Sequence, residues 1–209
     1  GSSRSEKELV QMLLAQFQEE QAAIRSLTQQ SPSLLSMLSE GITEDFPIPE
    51  PEEMLSDLQS RMINDFPVSN PTPSFTVKDV VPSLEPYSAP AFYLTTPLGD
   101  SDNNVIYINR RNSPMGLELY TTLAHEGFPG HLYQTVYSNR AFLDKDMDPV
   151  RKLIWYGGYL EGWALYVEFI SYDYAADLLE QCGQSDAAQA ALLEKHTRSL
   201  QLCMYTLLD

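Results

Sequence analysis

The chain has 209 residues, 43% hydrophobic and 20% charged, which is enough for a real hydrophobic core. Thirteen basic against 29 acidic side chains leave a formal charge of -16, a surface that repels phosphate backbones and argues against nucleic-acid binding. No apolar run reaches the roughly 20 residues that cross a bilayer, and two cysteines, Cys182 and Cys203, are too few for a disulfide scaffold.

Leu9, Leu13, Phe17, Ile24 and Leu27 recur at helical spacing and predict an amphipathic helix from about Ser5 to Gln30. Ser31-Pro32 starts a short second helix, which Gly41 ends. Seven acidic residues and no basic one lie between Glu40 and Asp57, stiffened by Pro47, Pro49 and Pro51, and lead into another short helix over 51–63. From Asn64 to Asp100 seven prolines exclude long helices and leave extended pieces such as Phe75-Val77 and Ala91-Thr95. A turn cluster at 100–104 precedes a strand, Val105 to Asn109.

Beyond Pro114 the pattern turns helical. One segment runs from about Met115 to Asn139 with an interruption. Asp148-Pro149 caps the next, which reaches about Gln181, and Gly183 stops it. Ser185 then caps a last helix that is still running at the C-terminus. The fold class is therefore mainly α (α+β), helical with a small irregular sheet. Composition divides it into an N-terminal helical segment with an acidic, proline-rich connection (1–63) and the region that carries the chemistry (64–209), together one compact domain.

That chemistry starts at His125-Glu126-Gly127-Phe128-Pro129-Gly130-His131. A regular zinc-binding helix places two histidines at i and i+4, on one face. Here they are six apart, which on an unbroken helix leaves the rings about 120° from each other. Pro129 cannot donate a backbone bond to the His125 carbonyl and its ring clashes there. Gly130 admits backbone angles closed to other residues. Together they can bring His131 back toward His125; the alternative is two separate helices with a Pro-Gly turn and unrelated histidines.

Glu161 and Glu168 are the only charged residues from Leu153 to Tyr172. They lie seven apart, near one face of a helix apolar all round, as expected of a buried one. Carboxylates there need neutralisation, a partner or a metal. One can be a third ligand and the other a residue that orients a histidine; the alternative is a pair of structural carboxylates bonded to tyrosines or to Arg151 and Lys152. Gly162 beside Glu161 leaves room for a neighbouring backbone.

His125-Glu126-Gly-Phe-Pro-Gly-His131-Leu-Tyr-Gln134 followed by Glu161-Gly-Trp-Ala-Leu-Tyr-Val-Glu168 resembles the bacterial domain-of-unknown-function 885 family, described by H-E-x-x-P-G-H and E-G-W-A-x-Y-x-E segments. The segments around Ser88-Tyr93 and Val105-Asn109 are similar to the family's strand region, and the likeness covers roughly Asp65 to Asp209. Leu132 stands where members often carry a second histidine, and family domains continue past the point matching Tyr205-Asp209, so the resemblance implies a truncated or compact member. It implies a zincin-like fold with an interrupted active-site helix, one zinc ion on His125, His131 and Glu161, and Glu126 as general base. It also implies export or lipid anchoring for many members. Manganese, cobalt or iron also suit such ligands.

Around that core Glu168 and Gln134 are candidates to support the ligands. Tyr107 and Asn109 are candidates to hydrogen-bond an extended peptide as edge strands do, and His196 is a candidate to stabilise an oxyanion. The expected partner is a peptide or small amide substrate. The expected functions are a zinc-dependent peptidase or related amide hydrolase, a metal-bearing but inactive peptide-binding domain, or a helical domain whose motif holds no metal.

Overall fold

The computed structural model describes residues 3–40, 46–96, 102–112, 114–145, 148, 150, 154 and 156–208. It is mainly helical with a small three-stranded sheet. Contacts group the chain into two compact units, Gly1–Ile42 with Ala175–Asp209, and Thr43–Tyr174. This grouping joins the first and last helices, whereas the division at 63/64 follows the change in composition.

In the first unit, helix α1 (Glu6–Gln30) opens with a reciprocal capping box. The Ser5 amide donates to Glu8 Oε2 at 2.7 Å, and the Glu8 amide donates to Ser5 Oγ at 3.4 Å. α2 (Leu34–Glu40) follows Ser31-Pro32 as expected; Gly41 lies outside the described residues. The last helix, Ser185–Leu208, packs against both. Leu34, Ala190 and Leu193 form the buried centre of this unit, flanked by Ile24, Leu27 and Met37.

The second unit is built on α3 (Pro51–Arg61), which carries proline in its first turn and buries Met54, Leu55 and Leu58. A 3-10 turn, Met62–Asn64, ends it. The proline-rich stretch supplies β1 (Thr76–Asp79), a 3-10 turn Glu85–Tyr87, and β2 (Ala91–Leu94); β3 is Val105–Ile108. The sheet order is β1-β3-β2, with β1 parallel and β2 antiparallel to β3. Ile106 and Ile108 are fully buried.

Then come α4 (Gly116–Glu126) and α5 (His131–Asp144). The predicted 115–139 segment is thus two helices joined by a four-residue turn. Asp148 Oδ1 accepts from the Val150 amide at 3.1 Å, the bond expected of a cap, but the helix predicted to run from there to Gln181 is not continuous, because Ile154 and Tyr156 lie outside any helix. Pro149, Arg151 and Lys152 lie outside the described residues. α6 (Gly157–Gln181) crosses from the second grouping into the first. Gly183, at φ 76°, stops it, and the Gln184 amide returns to Leu179 O at 2.9 Å. The helix after it, α7 (Ser185–Leu208), starts with Ser185 Oγ donating to Glu180 rather than capping. Both cysteines are free, Cys182 exposed and Cys203 buried.

Candidate metal centre

His125 and Glu126 are the last two residues of α4, and His131 is the first of α5. The Gly127 amide still closes on Leu123 O at 2.8 Å. The chain then doubles back, so that the Tyr133 amide reaches Gly127 O at 3.2 Å and the Gln134 amide reaches Gly130 O at 2.9 Å. A Cβ on Gly130 would lie 1.8 Å from His125 O and 2.3 Å from Ala124 O, an overlap that no side chain survives. A Cβ on Gly127 would meet Leu55 Cδ2 at 2.5 Å and Leu123 O at 2.8 Å. Trp163 on α6 fixes the turn from outside, its Nε1–H donating to Pro129 O at 2.8 Å.

This backbone path decides where the histidines go. Their ring centroids are 4.9 Å apart with the planes at 83°. The segment is two helices, yet the histidines meet. His125 Nε2 and His131 Nε2 each lie 3.6 Å from Glu161 Oε2. His125 turns its other nitrogen, Nδ1, to Glu168 Oε2 at 3.0 Å. Glu126 sits beside them, with Oε2 accepting from the Tyr93 amide at 2.9 Å. The ligand atoms of His125, Glu126 and His131 fall within 4.8 Å of one another, so these three side chains form a group able to hold a metal ion.

The charges are strongly coupled. Burial works against protonation of His125, but the Glu168 bond and the Glu126, Glu168 and Glu161 charges outweigh it and raise the pKa. For His131, burial and the neighbouring His125 charge lower it. Burial raises Glu126, only partly offset by the Tyr93 amide and His125. Two imidazoles and three carboxylates within reach of each other are the kind of array that a cation would relieve.

The structure departs from the sequence expectations at several places. α6 is apolar but not buried all round: Tyr159 and Tyr166 are exposed, and the Glu161 side chain is 62% exposed. Glu168 is the buried carboxylate, at 11%. Among the described residues nothing lies within 4 Å of a Cβ built on Gly162, and no backbone of theirs crosses there. β3 is the central strand, bonded on both sides, and cannot add a peptide strand. Tyr107 stacks on Phe92, with ring centroids 5.3 Å apart. Asn109 is buried, its amide nitrogen donating to Glu85 O at 2.8 Å and Ser88 O at 3.0 Å. His196 belongs to the first unit, where its Nδ1 lies 2.6 Å from Glu20 Oε2. Gln134 is buried on α5, one turn past His131.

Two contributors escaped the sequence reading. Tyr93 acts through its backbone, which no side-chain motif announces; its hydroxyl is held by Asn104 Oδ1 at 2.9 Å, which steadies the residue. Trp163 lies inside the second motif, but its partner, a proline carbonyl, carries no sequence signal.

The family model described as "Bacterial protein of unknown function (DUF885)" matches residues 1–192. The chain belongs to that family. No curated protein matches the DUF885 chain. Among solved structures it is similar to the crystal structure of "the putative lipoprotein from Colwellia psychrerythraea", at 23% identity and a TM-score of 0.60. That match covers 95% of this chain and 36% of the other, so this chain spans about a third of its neighbour's length, and the likeness is one of fold.

Proposed function

We propose that this chain is a zinc-dependent peptidase or related amide hydrolase, with His125, His131 and Glu161 as metal ligands and Glu126 as general base. The observation that carries the reading is the convergence of two imidazole Nε2 atoms on one carboxylate oxygen, 3.6 Å each. Three donors at zinc distances on a tetrahedron stand about 3.4 Å apart, so the residues fit such an ion. Glu168, by occupying His125 Nδ1, holds Nε2 as the free lone pair toward Glu161 and His131.

A zinc ion there would acidify a water and polarise a carbonyl. Glu126 accepts the proton of the attacking water at Oε1, because Oε2 is held by the Tyr93 amide. Its raised pKa brings it closer to neutrality, as suits a base that later returns its proton to the leaving amine. Tyr93 lies on β2, at one edge of the sheet. A peptide lying along that edge, with the Tyr93 amide left to Glu126, would bring its own amide bonds past the base, and on this reading β2 takes the role expected of Tyr107 and Asn109. The lipoprotein description of the structural neighbour supports an extracytoplasmic or lipid-anchored setting. Among the described residues no helix is long and apolar enough to cross a membrane.

The exposure of Glu161 favours a second reading, a metal-bearing domain that binds peptides without turning them over. Zinc titration by calorimetry, followed by a peptide library on the loaded protein, tests both. One zinc per chain with cleavage supports the enzyme; one zinc without cleavage supports the binding domain. No zinc uptake would sink both readings.

A further inference from the structure

Beside the metal centre the second unit holds a cavity of about 490 Å³ between α5 and α6, in the size range of ligand sites. Its walls are aromatic: Tyr133 and Tyr137 from α5, Tyr159 and Trp163 from α6. Tyr133 stacks on Tyr137 at 5.6 Å and on Trp163 at 6.4 Å. Trp163 is also the residue that pins Pro129, so the cavity wall and the histidine turn are joined by one side chain.

Gln134 lines the same cavity. It is 5% exposed, and among the described residues neither the oxygen nor the nitrogen of its side-chain amide has a hydrogen-bond partner. An orphaned buried amide forfeits its hydration without recovering a bond, so it is destabilising. An apolar residue of the same shape would avoid that cost, so the amide calls for a reason. It also stands three residues after His131 on one helix, hence on the same face and one turn away.

We infer that this cavity is a side-chain pocket for a phenolic, tyrosine-like residue of a peptide, with Gln134 as the group that reads the hydroxyl. The aromatic walls take the ring by offset and edge contacts. A phenol is both donor and acceptor, so it satisfies the amide oxygen and the amide nitrogen from one atom. Phenylalanine fills the same space and leaves Gln134 unpaired, and sites built on such a bond discriminate against the ligand that lacks it. The identity of the ligand as part of a peptide rests on the peptidase reading, because Gln134 in the cavity wall stands one turn from His131.

The test is calorimetric titration of the zinc-loaded 209-residue chain with N-acetyl-tyrosinamide and N-acetyl-phenylalaninamide. The tyrosine amide is expected to bind about tenfold more tightly, the worth of one hydrogen-bonded group. Gln134→Leu should erase that difference while leaving the unfolding midpoint unchanged or higher, since it removes the orphan. Ala141→Trp, which fills the cavity from α5, should abolish binding of both amides. Equal binding of the two amides to the parent, or binding untouched by Ala141→Trp in a folded variant, overturns the pocket. The two proposals fail separately. Tyrosine selectivity without any peptide cleavage leaves the pocket and removes the peptidase. Cleavage indifferent to tyrosine, with no amide binding, does the reverse.

Discussion

His125 with Glu168 and His196 with Glu20 are the same close pairing of an imidazole Nδ1 and a carboxylate, one example from each unit. In the first unit the pair is closed. Glu20 Oε2 faces His196 Nδ1 at 2.6 Å, and Oε1 accepts from Ser199 Oγ at 2.7 Å and from the Gln16 side chain. Both carboxylate oxygens are committed, and a polar pin between α1 and α7 results. In the second unit the His125–Glu168 contact uses one ring nitrogen and leaves the other facing His131 and Glu161. A histidine–carboxylate contact is therefore an anchor when it ends a network, and an orienting bond when a second lone pair points at further donors. Sequence distance does not separate the two cases; the direction of the unused nitrogen does.

The sharpest way to break the comparison is Glu126→Gln. Turnover of a peptide substrate should fall about 10²- to 10⁴-fold, the worth of a general base, with zinc content measured by atomic absorption unchanged. Retained activity would remove Glu126 from the chemistry. Next, Gly130→Ala should cost about 3 kcal/mol in urea unfolding through overpacking, because its Cβ would fall on the His125 carbonyl. It should also abolish the thermal shift on adding zinc by parting the histidines; an intact shift would show that the close turn is not what joins them.

Glu168→Gln should weaken zinc binding about 10- to 100-fold by calorimetry, the usual effect of losing a residue that orients a metal-bound histidine. An unchanged affinity would make Glu168 an anchor like Glu20. The smallest effect belongs to the closed cluster: Glu20→Gln should cost about 1 kcal/mol and leave zinc binding alone. Burial works to raise the Glu20 pKa, but hydrogen bonds from His196, Ser199 and Gln16 and the His196 charge outweigh it, so the net shift is downward. The unfolded chain then binds this proton more readily than the folded one. Stability from Glu20 is full above the ordinary value of 4.5 and is lost as pH falls through the lower folded value. Urea midpoints of parent and variant should therefore converge on acidification; a constant gap would contradict the sign.

Much of the fold was legible because local signals agreed. The apolar spacing from Leu9 to Leu27 pointed to the residues that form α1, and proline density confined 64–100 to short strands and turns. The two-histidine segment was legible as a break, since Pro129 and Gly130 exclude a continuous helix, but not in its direction. That direction depends on Gly130 meeting the His125 carbonyl and on Trp163 reaching Pro129 from another helix, both long-range facts. The burial of α6 was misjudged for a physical reason. Tyr159 and Trp163 are as apolar lining an open cavity as in a core, so composition cannot tell wall from interior. Strand order was likewise hidden, because pairing partners are chosen by tertiary packing and not by a strand's own residues.

The uneven exposure of the centre bears on exchange kinetics. The imidazoles of His125 and His131 are 21% and 19% exposed, whereas Glu161 is 62% exposed. An ion held by these three would thus have a single door, on the carboxylate side, opened by the rotation of one glutamate side chain. Such rotations take picoseconds to nanoseconds on an exposed residue. Residence time would be set by the two nitrogens alone, and a small chelator could enter behind the swinging carboxylate without any unfolding. Metal content would then record the buffer through which the protein last passed.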